Sequence, residues 1–224
     1  MSSWLDPAHP RHALLWASVE PRLPAAELAH DRHHIARVYG WALRLSGEAG
    51  VAADLAGATA LVHDLVFVPK DSADRSTGGE RSAAAAPAVL TAAGYAAAEI
   101  AAVAEAVRTS SWSRGLAPTS PLGAVLQDAD RLDAIGAVGL MRTVACGQFM
   151  TKPDRPGRFY DPADPVARSD RQLNDRIQAV DHLPAKLLRL AQGMHFAMSR
   201  VEAAKRHAFL LMFLDQLADE VAPR

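Results

Sequence analysis

Three short stretches of the chain place imidazoles and carboxylates inside otherwise apolar text: HDRHHIARV from His30, ALVHDLV from Ala60, and LQDADRLDAIGAVGLMRT from Leu126. Burying such groups is costly unless they are paired, hydrogen-bonded or bound to a metal. Helical spacing separates the histidines of the first stretch. Residues three, four or seven apart share a face, so His34 aligns with Val38, Trp41 and Leu45, whereas His33 aligns with Arg37, Gly40 and Arg44. His34 therefore points inward, and His30, one turn earlier, is positioned to support it. In the second stretch His63 and Asp64 are adjacent, about 100° apart if the segment is helical. In the third, Asp130 and Asp133 share a face and Asp128 is rotated away, which leaves the choice among these aspartates open. Two imidazoles and two carboxylates on three helices form a mixed nitrogen–oxygen site. That donor set suits Mn²⁺, Fe²⁺ or a similar first-row ion better than the thiolate sites of structural zinc.

The elements that must position these groups read as helices. Apolar residues recur at helical spacing from about Pro24 to Gly47, and a second helix is expected from about Ala52 to Phe67, closed by Val68-Pro69. Two more are expected around Arg81–Ala93 and Ala96–Ser110, separated by Gly94. Ser120-Pro121 opens another as N-cap and first-turn proline, reaching about Ala145. Residues 147–171 are rich in proline, glycine and charge without periodicity, and read as a lid or rim loop. Gln172–His195 and about Ala197–Glu220 read as a closing helical pair. The expectation is one all-α domain over residues 1–224, with residues 24–145 carrying the chemistry and 172–224 the C-terminal pair.

Composition narrows the function. The 224 residues are 50% hydrophobic, and 24 basic against 25 acidic residues give a net charge of −1. Neither nucleic acid nor an anionic membrane is an electrostatically favoured partner. One cysteine, Cys146, forms no intrachain disulfide, and no run approaches the roughly 18 apolar residues of a membrane span. The opening MSSWLDPAHPRHALLW lacks the apolar core of a signal peptide. A cytoplasmic protein is expected.

Taken in order, the three stretches resemble the HD superfamily of metal-dependent phosphohydrolases, and most closely its bacterial single-domain branch. The similarity continues through SSWSRGLAPTS, GRFYDPADP, VDHLPAKLLRLAQGM and RHAFLLMFLDQLADE. The resemblance implies an all-α HD-type helical bundle and an H…HD…D ligand set of His34, His63, Asp64 and Asp130. It implies one divalent ion, with Mn²⁺ first and Fe²⁺, Co²⁺, Ni²⁺ or Mg²⁺ as alternatives, and a small phosphorylated substrate such as a nucleotide. Asp64 would also orient the attacking water. Lys70, Arg75, Arg37, Ser113 and Arg114 are the candidate substrate contacts, because each supplies donors near the motif. Helical domains of this type often pair, so a homodimer is one possible assembly, and the sequence leaves the oligomeric state open.

The chain departs from the family pattern at three places. Phe67 stands where some relatives have a glutamate, Ser110 where the branch has a histidine, and Leu122 where a glutamate precedes the DAD helix. None replaces an imidazole or a carboxylate in proton transfer. A catalytically weakened domain that binds a nucleotide or metabolite as a sensor is therefore the alternative to an active phosphohydrolase. His182 reads as a structural residue or as one that supports a ligand from behind.

Overall fold

The computed structural model describes residues 3–25, 27–69 and 72–222. Helices dominate, and the extended pairings among the described residues are isolated bridges within the segment from Lys152 to Gln178. No described helix is long and apolar enough to cross a membrane. The chain divides into two compact units, one built from residues 1–26 and 30–130, the other from 27–29 and 131–224.

The first unit contains α1 (Pro10–Val19), α2 (Arg32–Ala49), α3 (Ala53–Val62), α4 (Gly78–Ala92), α5 (Ala97–Arg108) and most of α6 (Pro121–Asp133). Its centre is α3, which packs against α1, α2, α4 and α5. Every residue from Ala56 to Val62 is buried, as expected of a helix that is apolar on all sides. Small residues make this close packing achievable. A Cβ at Gly57 would lie 2.4 Å from Cε1 of His12 and 2.9 Å from Cε2 of Tyr39.

Helix α2 begins at Arg32 rather than near Pro24. The Asp31 carboxylate accepts from the backbone N–H groups of His33 and His34, each at 2.9 Å, and so caps the helix there. The preceding residues Leu28–His30 form a 3₁₀ turn. Helix α3 stops at Val62 rather than Phe67, and one cause is the histidine itself. His63 Nδ1 lies 2.7 Å from the Ala60 carbonyl oxygen and competes for an acceptor that continued helix would use. The His-Asp doublet thus sits in the turn after α3. Ser82 of α4 fixes that turn by accepting from the Val66 N–H at 3.1 Å. The break at Gly94, with φ +83°, and the start of α6 at Pro121 match the expected signals.

In the second unit, α7 (Gly136–Met150) and the long α9 (Ala197–Val221) pack together. The single helix expected from Ser120 to Ala145 is in fact α6 and α7, split after Asp133 because Gly136 adopts a left-handed φ of +77°. Between α7 and α9 the chain is largely irregular to Gln178. It then forms a 3₁₀ turn (Ala179–Asp181), a π-type turn (Leu183–Leu187), the short α8 (Leu188–Leu190) and a further 3₁₀ turn (Ala191–Gly193). The helix expected from Gln172 therefore starts late and is broken. Fully buried Asp181 explains part of this, since it accepts from Arg171 Nη1 and from the Asn174 N–H, both at 2.7 Å. Arg171 also reaches Asp164 at 3.0 Å, and Val180 N–H bonds the Phe159 carbonyl at 2.8 Å. The long segment is thus a hydrogen-bonded structure.

Candidate metal centre

His34 enters from the first turn of α2, on the inward face, and its side chain is fully buried. His63 follows the last residue of α3 and is almost as deeply buried. Asp64 is the next residue of the turn, and Asp130 comes from α6. The four converge within the first unit. His34 Nε2 lies 3.2 Å from His63 Nε2, 3.4 Å from Asp64 Oδ2 and 3.8 Å from Asp130 Oδ1. His63 Nε2 is 3.6 Å from Asp64 Oδ2. The imidazoles form the dry floor, while the Asp64 and Asp130 side chains remain 33% and 36% exposed and give the cluster an open side.

Protonation follows from the contacts. His63 Nδ1 faces the Ala60 carbonyl, so in the neutral ring this nitrogen carries the proton and Nε2 presents a lone pair to the cluster. Burial alone would raise the Asp64 carboxyl, but the charge of His63, a hydrogen bond from His34 and the charge of His30 outweigh it. The group is held well below the usual carboxylate range. The cluster thus gathers two ring nitrogens and two carboxylates, and with both rings neutral their Nε2 atoms would be available as ligands. A divalent cation fits this donor set: ligand atoms of His34, His63 and Asp130 all lie within 4.8 Å of one another.

The other candidates divide. Asp133 turns away and pairs with Arg142 at 2.8 Å, which accounts for its burial without a metal. Asp128 is also buried. Arg37 lies one turn beyond His34 on α2 and is half-buried, while Arg75 is exposed on the turn Arg75–Thr77. Lys70 lies outside the described residues. Ser113 and Arg114 occupy the turn Trp112–Arg114 ahead of α6. Ser113 Oγ is 3.1 Å from Ser111 Oγ, and Arg114 pairs with Glu80 at 2.8 Å. Phe67 packs beside His30 with ring centroids 6.1 Å apart. Ser110 donates to the Val107 carbonyl, and Leu122 is buried.

One residue carried no signal in the sequence reading. Gln127, one turn before Asp130, uses its amide to donate to the carbonyls of Thr109 at 2.8 Å and Leu116 at 3.0 Å. It fastens both ends of the loop that carries Ser113 and Arg114. A polar residue at i−3 from a candidate ligand on an apolar helix was the available clue.

No protein-family model matches the chain. A sequence relative does: YpgQ of Bacillus subtilis, an uncharacterized protein, is 31% identical over 207 residues, covering 86% of this chain and 84% of YpgQ. Among solved structures, a Lactobacillus plantarum protein superposes with a TM-score of 0.73 at 28% identity, over 94% of this chain and 96% of that one. An HD-superfamily hydrolase from Bacillus thuringiensis gives 0.64 at 26% identity, with 94% of each chain covered. The chain belongs to the HD superfamily. YpgQ has also been crystallised in complex with ADP. That structure matches with a TM-score of 0.68 and 26% identity over the structural alignment, covering 94% of this chain and 95% of YpgQ.

Proposed function

We propose that this HD protein is a divalent-metal-dependent phosphohydrolase acting on a nucleotide or a similar small phosphorylated metabolite. The observation that carries the reading is the gathering of His63, Asp64 and Asp130 within 3.8 Å of His34 Nε2, with a dry floor and an open side. The ADP complex of YpgQ supports a nucleotide as the ligand class. These four side chains would hold one ion, Mn²⁺ being the first candidate. When bound, a divalent ion acidifies a water and neutralises charge on a phosphoryl oxygen.

The protein's own groups then have distinct tasks. His34 and His63 act as neutral imidazole ligands, the latter kept in the required tautomer by the Ala60 carbonyl. Asp64 stays ionised and, being partly exposed, accepts a hydrogen bond from the attacking water as well as holding the ion. Asp130 completes the set from α6. Arg37, Lys70, Arg75, Ser113 and Arg114 supply donors for the phosphate oxygens. In the hydrolysis the water oxygen forms a bond to phosphorus, the ester or anhydride P–O bond breaks with its electron pair on the departing oxygen, and the proton lost by the water passes to that oxygen or to solvent.

The test is product identification. Purified protein assayed with Mn²⁺, Co²⁺, Ni²⁺ or Mg²⁺ against a nucleotide panel should release phosphate or pyrophosphate, and Asp64→Ala should remove both activity and bound metal. No turnover by metal-loaded protein, or full activity in Asp64→Ala, would contradict the reading. A second reading is favoured by one specific observation: Phe67, Ser110 and Leu122 leave the three family acid–base positions without a titratable group. Under it the protein binds a nucleotide without turning it over, and calorimetry would detect affinity in the absence of product.

A further inference from the structure

Arg114 is incompletely satisfied. A guanidinium has five N–H donors. The Nη2 of Arg114 meets Glu80 Oε1 at 2.8 Å, whereas Nη1 is shielded from solvent and has no hydrogen-bond partner among the described residues. The two partners differ in freedom. The Glu80 side chain is 49% exposed and can swing into water, while that of Arg114 is 24% exposed and belongs to a loop fixed at both ends by Gln127. An ion pair with so exposed a partner is weak. The result is a fixed cation whose present acceptor is easily displaced.

The loop is tied to the candidate metal centre by two separate routes. Through Gln127 it is fastened to α6, one turn from Asp130. Through Glu80 it reaches the first turn of α4. That turn packs on the end of α5, where a Cβ at Gly79 would lie 3.1 Å from the Val107 carbonyl oxygen and 3.4 Å from Ser110 Oγ. One turn further along α4, Ser82 accepts from Val66, two residues after Asp64. The Arg114–Glu80 pair is therefore held by the same two elements that fix Asp130 and the His-Asp turn.

We propose that Glu80 is an internal competitor for a phosphate group, occupying Arg114 in the free protein and released when a phosphorylated ligand binds. The proposal rests on the phosphohydrolase reading above and specifies how that site admits its substrate. A phosphate brings several acceptor oxygens, and the movement that releases Glu80 would have to uncover Nη1 for it to meet both Nη atoms, which the single Glu80 contact does not. Gln127 holds the backbone of the loop that carries Arg114. The competition predicts that removing the carboxylate improves anion binding, the opposite of what loss of a merely structural ion pair would do.

The experiment is calorimetric titration of the full-length, metal-loaded protein with ADP. Glu80→Gln should tighten binding about 3- to 10-fold, and Glu80→Ala should do the same if the amide itself perturbs the loop. Arg114→Gln should weaken binding roughly 10-fold or more, and the Glu80→Gln/Arg114→Gln double variant should bind no better than Arg114→Gln alone. Thermal melts establish that each variant is folded. Unchanged or weaker binding in both Glu80 variants overturns the competitor role. ADP affinity unaffected by Arg114→Gln also overturns it, leaving the metal centre intact. Failure of ADP to bind the wild-type protein overturns this proposal, while the phosphohydrolase function stands or falls separately on product release from the nucleotide panel.

Discussion

Helix α3 carries a buried polar cluster at each end, and the two are built on different principles. Near its start, His12 of α1 contacts the Tyr39 hydroxyl through Nδ1 and the Asp54 carbonyl through Nε2, both at 2.8 Å. Tyr39 in turn accepts from the Asp6 N–H at 3.1 Å, and the Asp54 carboxylate pairs with Arg11. Each nitrogen of the His12 ring has a protein partner. After the other end of α3, His34 and His63 direct Nε2 atoms at each other, with two carboxylates beside them. Helix α2 contributes to both clusters, since it carries Tyr39 as well as His34. His12 is held by a hydroxyl and a backbone carbonyl, whereas His34 and His63 meet each other and two carboxylates, the donor types that bind a divalent cation. The aspartates of α6 repeat the distinction, with Asp133 satisfied by Arg142 and Asp130 directed at the histidines.

Removing one member of each cluster should separate their roles most strongly. His63→Ala or Asp130→Ala should lower phosphohydrolase turnover by at least ~100-fold and strip the metal, since even outer partners of a metal ligand are worth 10- to 100-fold. His12→Asn should instead leave turnover per folded molecule unchanged while lowering stability. Steady-state kinetics alongside thermal melts read both quantities. If the two substitutions affected activity alike, the division would be wrong.

The next largest effect tests the division within α6. Asp133→Ala leaves Arg142 largely buried without its carboxylate and should cost about 3 kcal/mol, measured by urea unfolding, with metal content retained. Gly57→Ala follows at about 1–3 kcal/mol, because the new Cβ must displace the rings of His12 and Tyr39. The smallest effect is a pH dependence. Burial holds the His12 pKa below the ordinary histidine value, despite the opposing Asp54 carbonyl and charge. Between those two values the unfolded chain binds more protons than the folded one, so stability rises with pH. It is fully present above the unfolded value and is lost as the pH falls toward the folded one. Melting temperatures between pH 7.5 and pH 5 should therefore fall less steeply for His12→Asn than for the wild type.

Much of this organisation was legible in the sequence, and the failures have physical causes. Helical spacing selected His34 over His33, and the inward face of α2 bears that out. The signals at Gly94 and Ser120-Pro121 marked element boundaries because they act through local backbone geometry. The His-Asp doublet was placed inside a helix because its neighbours are apolar. Periodicity could not reveal that His63 would take the Ala60 carbonyl and help end the helix. Similarly, Asp31 as a cap and Gly136 as a break moved boundaries that hydrophobic spacing had drawn elsewhere. Spacing left Asp128, Asp130 and Asp133 open, and resemblance favoured Asp130, the one that faces His34. Gln127, Glu80 and His12 went unnoticed because each acquires its meaning from a partner distant in sequence or from a loop closed by tertiary contact.

The most direct measurement of the central claim is metal dependence with stoichiometry. Protein stripped by chelator and titrated with Mn²⁺ should regain nucleotide hydrolysis in step with one bound ion per chain, and His34→Ala and Asp130→Ala should show neither binding nor recovery. Hydrolysis that persists in the stripped protein, or one ion bound equally well by these variants, would contradict the account.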